Sequence, residues 1–188
     1  MTMQNEMLPL ARPDIGDLEM RYVMQVLKSG VLSQGPMLAE FEQRFASHVG
    51  SRHAVAVNSG TAALHLAVKS LGLQPGDEVI TTPFSFVASA NCLLFERVRP
   101  VFADIDPYTL NMDPVEVEKK ISSRTRALLP VHVFGNPCSM DSLMYLAQKH
   151  RLAVIEDACE SLGAQYHGRN VGTFGECGIF AFYPNKQM

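Results

Sequence analysis

Strand-like and helix-like runs alternate along most of this chain, and that alternation constrains its fold more than any other feature. The strand-like runs are short, rich in β-branched residues and apolar on both faces, which is typical of parallel strands covered by helices. They are HAVAVN (53–58), DEVITT (77–82), RPVFADI (99–105), RALLPVHVF (126–134), LAVIED (152–157) and CGIFAFYP (177–184). The sequence therefore predicts a three-layer αβα fold of the α/β class with a mostly parallel sheet.

Two helix-like segments precede the first of these runs. Asp14 is placed to cap a helix over residues 15–29, which Gly30 would end. A second helix over residues 37–49 would end at Gly50. Both glycines suit the left-handed conformation that commonly follows the last turn of a helix.

Length, charge and composition limit the class of protein. The 188 residues are 47% hydrophobic, so they can form one globular domain, which we assign to residues 36–188 after an N-terminal helical segment, residues 1–35. The net charge is −3 with no basic block, which argues against a nucleic-acid partner. No apolar stretch reaches the ~20 residues of a membrane helix, and the first residues lack the pattern of a signal peptide. These features predict a cytoplasmic protein without a membrane partner.

Cysteine spacing gives no indication of a metal site. The four cysteines are far apart, none forms a C-x-x-C pair, and no two histidines have helical spacing. We expect them to be buried free thiols in a reducing compartment and we expect no bound metal. They are Cys92, Cys138, Cys159 and Cys177.

Polar residues follow the predicted strands at the points where those strands end. Ligands of parallel sheets bind at the carboxyl ends of the strands, so these residues are candidates for one site. They are Asn58 to Thr61, Thr82 to Phe86, Asp104, Asp106, His132, Asp157 and Lys186.

Two of these segments suggest contacts to a phosphate and to a cation. Gly60 and Thr61 lie between a strand and a helix, where free backbone amides attract phosphate, although a capped helix with a turn glycine also explains them. Glu156 and Asp157 end an apolar strand, and a buried carboxylate needs a cation or several donors. A cationic cofactor nitrogen, a helix cap or a structural ion pair would each satisfy this requirement.

The remaining candidates have structural explanations as well as functional ones. Phe84 and Phe86 suit a stacking platform for a flat ring, or an ordinary core. The D-x-D spacing of Asp104 and Asp106 is used by metal-dependent nucleotide-sugar transferases, but a turn before Pro107 explains it equally well. His132 is more typical of a hydrogen-bonded strand histidine than of a catalytic base.

Lys186 gives these signals a common interpretation. A desolvated amine is a nucleophile that forms imines, above all with pyridoxal phosphate. That cofactor needs an imine lysine, an acid against its ring nitrogen, a phosphate cradle and a stacking ring. The chain offers Lys186, Asp157, Gly60 with Thr61, and Phe86, all at one predicted sheet edge.

The sequence resembles the DegT/StrS-type sugar-nucleotide aminotransferases, pyridoxal-phosphate enzymes of fold type I. The matching stretches are collinear and cover nearly the whole chain. They are SQGPMLAEFEQRFASHVG, AVAVNSGTAALHLAV, GDEVITTPFSFVASAN, VFADIDPYTLNMD, PVHVFGNPCSMD and VIEDACESLGAQYHGRNVGTFGECGIFAFYPNK. The blocks NSGTAALHLA, IEDA and FYPNK are together highly specific for this family.

The resemblance implies a role for each candidate residue. Lys186 matches the lysine that bonds to the cofactor and later transfers the proton, and Asp157 matches the acid that keeps the ring nitrogen protonated. Gly60 and Thr61 match the phosphate cradle, and Phe86 matches the stacking aromatic. A lysine at position 186 argues against the related dehydratases, which carry histidine there.

Two positions depart from the family pattern. Position 160, near the phenolic oxygen of the cofactor ring, is often glutamine or histidine in the family and is Glu160 here. Position 181 is often a serine that reaches the phosphate and is Ala181 here, so that the phosphate would be held by fewer hydroxyls or by a partner subunit.

The resemblance also implies an activity and an assembly. Family members transfer an amino group, in this case from L-glutamate, to a nucleotide-linked keto-deoxy sugar for polysaccharide or sugar biosynthesis, and they form homodimers. They are about twice as long, so we expect this chain to stop before the final antiparallel strand and the small C-terminal domain, and to be weakly active. The alternatives are a non-catalytic remnant or regulator, and a metal-dependent glycosyltransferase built around Asp104 and Asp106.

Overall fold

The computed structural model describes residues 12–186 of the chain. Its helices are Asp17–Ser29 (α1), Pro36–Val49 (α2), Gly60–Ser70 (α3), Ala88–Phe95 (α4), Pro114–Lys120 (α5) and Met140–His150 (α6). Its strands are Glu78–Thr81 (β1), Arg99–Phe102 (β2), Thr125–Leu128 (β3), Ala153–Asp157 (β4), Gln165–Tyr166 (β5), Arg169–Asn170 (β6) and Cys177–Ile179 (β7).

Five of the strands form one parallel sheet in the order β2-β1-β3-β4-β7. Parallel neighbours need a crossover connection, and α4, α5 and α6 lie in the connections between β1 and β2, β2 and β3, and β3 and β4. The strands β5 and β6 form a separate antiparallel pair. The mostly parallel sheet predicted from the apolar runs is therefore confirmed.

Each face of the sheet packs against its own helices, which gives three layers. Successive residues of a strand point to opposite faces, so each buried strand contributes to two cores. Val79, Ala127 and Ile155 pack with α3 and α4, whereas Ile80, Leu128 and Val154 pack with α5 and α6. This double burial explains why the strands read as continuous apolar runs.

The prediction of a first strand at HAVAVN is wrong, because residues 53–58 form no strand in the described part of the chain. Val55 is 79% exposed and Val57 is 38% exposed. A strand needs a neighbour for its backbone hydrogen bonds, and the sheet that the described residues form ends at β7 on one side and β2 on the other. The β-branched pattern alone does not supply that neighbour.

Two further expectations need correction. The strand predicted over residues 126–134 ends at Leu128, shortly before Pro130, which has no N–H to donate, and Phe134 adopts a positive φ of 51°. Asp14 does not cap α1; the cap is Gly16, whose N–H donates to Glu19 Oε2 at 2.7 Å. The Glu19 carboxylate, three residues after Gly16 in the chain, therefore replaces the expected cap by the Asp14 side chain.

The glycines after α1 and α2 act as the sequence predicts. Gly30 and Gly50 have φ angles of 72° and 83°, in the left-handed region, and their N–H groups bond to carbonyls of the last helical turn. All four cysteines are free thiols as expected, but only Cys92 and Cys138 are buried, whereas Cys159 and Cys177 are half-buried. Among residues 12–186, no helix combines the length and the hydropathy needed to cross a membrane.

Candidate active site

The strand order reverses at β1, because the next two strands along the chain, β2 and β3, lie on opposite sides of β1. Such a switch point opens a crevice at the carboxyl ends of the strands. Phe84 from the loop after β1 and Phe134 from the segment after β3 meet there, with ring centroids 6.1 Å apart. The described sequence candidates Phe84, Phe86, Asp157 and Lys186 all follow or end strands at this edge.

The start of α3 reaches the same edge. Ser59 caps the helix by accepting a hydrogen bond from Ala62 N at 3.1 Å. The amides of Gly60 and Thr61 lie in the first turn, where a helix has no carbonyl for them to bond. A Cβ added to Gly60 would lie 3.2 Å from Ala181 Cβ and 3.3 Å from Cys159 Sγ. Glycine therefore allows α3 to approach both β4 and β7, with its positive end towards the site.

Asp157 ends β4 and is 5% exposed. Its Oδ2 accepts a hydrogen bond from Ser89 Oγ at 2.7 Å, and its Oδ1 accepts one from Cys159 N at 3.2 Å. Burial, together with the Asp157 charge, raises the pKa of the Cys92 thiol to about 12 and raises that of Cys159 further. Both thiols therefore stay protonated beside a carboxylate at neutral pH.

Lys186 follows β7 and forms an ion pair with Glu160. Its Nζ donates to Glu160 Oε1 at 2.8 Å, and the lysine side chain is 16% exposed. Glu160 Oε2 accepts from Phe134 N at 3.3 Å, which joins the segment after β3 to the lysine. The structure thus gives Glu160 a protein partner that the sequence did not indicate.

Phe86 is 72% exposed at the loop after β1. This exposure disagrees with an ordinary core position for its ring. The structure therefore leaves a stacking role open for Phe86, which remains a prediction.

Glu156 and Asp157 serve different faces of β4, as strand alternation requires. Glu156 is fully buried, and its carboxylate accepts hydrogen bonds from the amides of Gly172, Phe174 and Gly175 at 2.6 to 2.8 Å. His132 Nε2 lies 3.2 Å from Glu156 Oε2, while His132 Nδ1 accepts from Cys138 N. His132 is therefore a buried, doubly bonded histidine with a structural role.

Asp104 and Asp106 belong to a local turn. Asp106 Oδ1 accepts from the amides of Thr109 and Tyr108 and from the Thr109 hydroxyl, and these bonds hold the Asp106 pKa below its usual range. Asp104 Oδ1 accepts from its neighbour Ile105 N. Over residues 12–186, no three His, Cys, Asp or Glu side chains converge as a metal site would require.

An aromatic cluster that the sequence analysis missed holds the segment carrying Lys186. Phe45 of α2 lies 5.2 Å from Phe180 and 5.5 Å from Phe182 between ring centroids, both edge to face, and Phe41 completes the cluster. Edge-to-face contacts at this distance are favourable. The repeat of Phe41 and Phe45 at i and i+4 of α2 is the signal that could have identified them.

Replacing Phe45 by alanine is expected to loosen this segment. The change removes two edge-to-face contacts and should lower the free energy of unfolding by about 2 kcal/mol. Amide hydrogen exchange over residues 180–186 should accelerate more than exchange in α5. The control is Phe95→Ala, whose ring is 55% exposed and contacts His65. Equal exchange of residues 180–186 in both variants would contradict the assignment.

Comparison with known proteins agrees with this geometry. Residues 13–188 match the DegT/DnrJ/EryC1/StrS aminotransferase family. The chain is 47% identical over 185 residues to the spore coat polysaccharide biosynthesis protein SpsC of Bacillus subtilis (strain 168), covering 98% of this chain and 48% of SpsC. It is 42% identical over 180 residues to GDP-perosamine synthase of Caulobacter vibrioides, covering 95% of this chain and 48% of the synthase.

A solved structure shares the fold. The crystal structure of an aminotransferase from Psychrobacter cryohalolentis superposes with a TM-score of 0.90 at 38% identity, over 94% of this chain and 45% of that one. The chain spans about half the length of the curated relatives it matches. The match over residues 13–188, with the fold and these identities, shows that the chain belongs to the DegT/DnrJ/EryC1/StrS aminotransferase family.

Proposed function

We propose that this chain is the cofactor-binding part of a pyridoxal-phosphate-dependent aminotransferase. In this proposal an amino group passes from L-glutamate to a keto-deoxy sugar linked to a nucleotide, in polysaccharide or sugar biosynthesis. The observation that carries it is the convergence of Lys186, Asp157 and the start of α3 at one edge of a parallel sheet. The names of the relatives, which concern coat polysaccharide and an amino sugar nucleotide, support the substrate class.

The residues present fit pyridoxal phosphate. Open first-turn amides at Gly60 and Thr61 suit a phosphate, and the nearly buried Asp157 suits a protonated ring nitrogen. The exposed ring of Phe86 is free to stack on a flat group. Lys186 is the amine at this edge, held by Glu160.

Each side chain then has a definite task. When bound, the cofactor supplies an aldehyde that bonds to amines and a ring that stabilises negative charge. Lys186 would supply the amine that holds the cofactor and, at the substrate carbon, would act as the general base and acid that moves a proton. Asp157 holds the proton on the ring nitrogen, and Gly60 and Thr61 anchor the phosphate.

The cytoplasmic location and the homodimer expected from the resemblance remain part of this proposal. None of the α1 residues is buried, and four apolar side chains at helical spacing form an exposed stripe on it. They are Met20, Val23, Met24 and Leu27. A stripe of this kind is compatible with a subunit interface, which sedimentation of the cofactor-loaded chain would test.

Release of 2-oxoglutarate from L-glutamate tests the activity. We expect the loaded chain to release it stoichiometrically and then to turn over slowly with nucleotide-linked 3-keto or 4-keto deoxy sugars, while Lys186→Ala releases none. A chain that binds pyridoxal phosphate and releases nothing would favour the non-catalytic alternative. A rate equal to that of a full-length relative would contradict the expected weak activity.

A further inference from the structure

Ser89 lies in the first turn of α4 and is 1% exposed. Its Oγ is 2.7 Å from Asp157 Oδ2 and 2.8 Å from Ser85 Oγ. Its backbone N–H donates to Phe86 O at 3.2 Å. One buried residue thus contacts the acid at the end of β4 and two residues of the loop after β1.

The direction of these hydrogen bonds follows from their partners. An ionised carboxylate has no proton to give, so Ser89 must donate to Asp157. The Ser89 oxygen then has lone pairs free to accept the proton of Ser85. The series of hydrogen bonds therefore runs from Ser85 through Ser89 to Asp157, with each hydroxyl donating towards the carboxylate at its end.

The helix gives this arrangement its rigidity. Ser89 has a helical backbone, and its own carbonyl accepts a contact from Cys92 Sγ at 3.4 Å, so α4 holds the backbone of the residue that carries the hydroxyl. The hydroxyl fixes Oδ2 of Asp157 while the Cys159 amide fixes Oδ1. Two directional bonds from two different segments leave the carboxylate with one orientation.

We propose that Ser89 is a positioning residue, which holds the Asp157 carboxylate in a fixed orientation for a cationic ring nitrogen. This inference rests on the proposed function, because it assigns the ring nitrogen of pyridoxal phosphate as the group that Asp157 serves. Ser89 acts through Asp157 and does not itself touch the cofactor. Through Ser85 and the Phe86 carbonyl it also fixes the loop that carries the stacking candidate.

Binding of two cofactor forms to the full chain tests this assignment. The probes are pyridoxal phosphate and its carbocyclic analogue, in which a C–H group replaces the ring nitrogen. Ser89→Ala should raise the Kd of pyridoxal phosphate by about tenfold, since the substitution removes one hydrogen bond to a charged group. The Kd of the analogue should stay unchanged, because the analogue presents no nitrogen to Asp157.

The controls separate positioning from general damage to the fold. Ser89→Thr keeps the hydroxyl and should restore the selectivity for the ring nitrogen. Ser161→Ala removes another buried hydroxyl, which donates to His132 O and not to the Asp157 carboxylate, and should leave the ratio of the two Kd values at its wild-type level. If Ser89→Ala does not fold, Ser85→Ala decides, with an expected selective loss of about threefold.

The outcomes distinguish this inference from the function on which it rests. A loss of affinity for pyridoxal phosphate alone in Ser89→Ala supports the positioning role. An equal loss for both probes, or no loss for either, would overturn that role and leave the proposed function standing. A wild-type chain that binds neither probe would overturn both.

Discussion

Lys186→Arg is expected to abolish the borohydride-stable attachment of pyridoxal phosphate to this chain. A primary amine forms an imine with the cofactor aldehyde, and borohydride reduces that imine to a permanent bond. Arginine keeps the positive charge and the pairing with Glu160, but its guanidinium stays protonated and does not attack an aldehyde. Intact mass with peptide mapping measures the result.

The matched control for this experiment is Lys69→Arg. Lys69 also pairs with a glutamate, Glu96, at 3.2 Å, but its side chain is 62% exposed and it lies on α3 away from the lysine segment. This variant should carry the same single adduct on Lys186 as the wild type. Adducts scattered over surface lysines, or an unchanged adduct in Lys186→Arg, would remove Lys186 from the proposed site.

The fold could be predicted from the sequence wherever burial determines the pattern. Strands such as 78–81 and 153–157 are covered on both faces, so their apolar character reports their position directly. Residues 53–58 carry the same pattern, yet they form no strand, because the pattern does not reveal which neighbour pairs with them. Backbone pairing is a property of the assembled sheet, and local composition cannot encode it.

The position of a candidate residue could be predicted where a strand end fixes it. Asp157 and Lys186 follow this rule, and the structure brings both to the carboxyl edge. The ion pair of Lys186 with Glu160 and the hydrogen bond of Ser89 to Asp157 could not be predicted, since they join residues 26 and 68 positions apart. Such contacts depend on which loops the fold places together.

Glu156 shows most clearly that contacts between residues distant in the sequence could not be predicted. Its sequence context, an acid at the end of an apolar strand, does not distinguish it from Asp157, one residue later. The structure separates them, because Glu156 Oε1 accepts from two backbone amides and Oε2 from a third, with His132 Nε2 also within reach. We assign the Nε2 proton to His132 because its Nδ1 already accepts from Cys138 N.

Glu156→Gln should therefore destabilise the chain strongly although it changes few atoms. Each Glu156 oxygen accepts from two N–H groups, and the amide of glutamine replaces one of these oxygens by an NH₂ group. Two buried N–H groups therefore lose their acceptor and face the N–H groups of that amide. We expect the free energy of unfolding to fall by about 4 kcal/mol. Urea unfolding followed by circular dichroism measures this loss.

Glu118→Gln is the matched control, because Glu118 pairs with Lys149 while 52% of its side chain is exposed. An exposed pair contributes little, so this variant should lose less than about 1 kcal/mol. The contrast tests whether the buried carboxylate stabilises the loop over residues 172–175, which leads into β7 and hence to Lys186. Equal stability of Glu156→Gln and the wild type would mean that solvent satisfies those amides. It would remove Glu156 from the residues that hold the lysine segment in place.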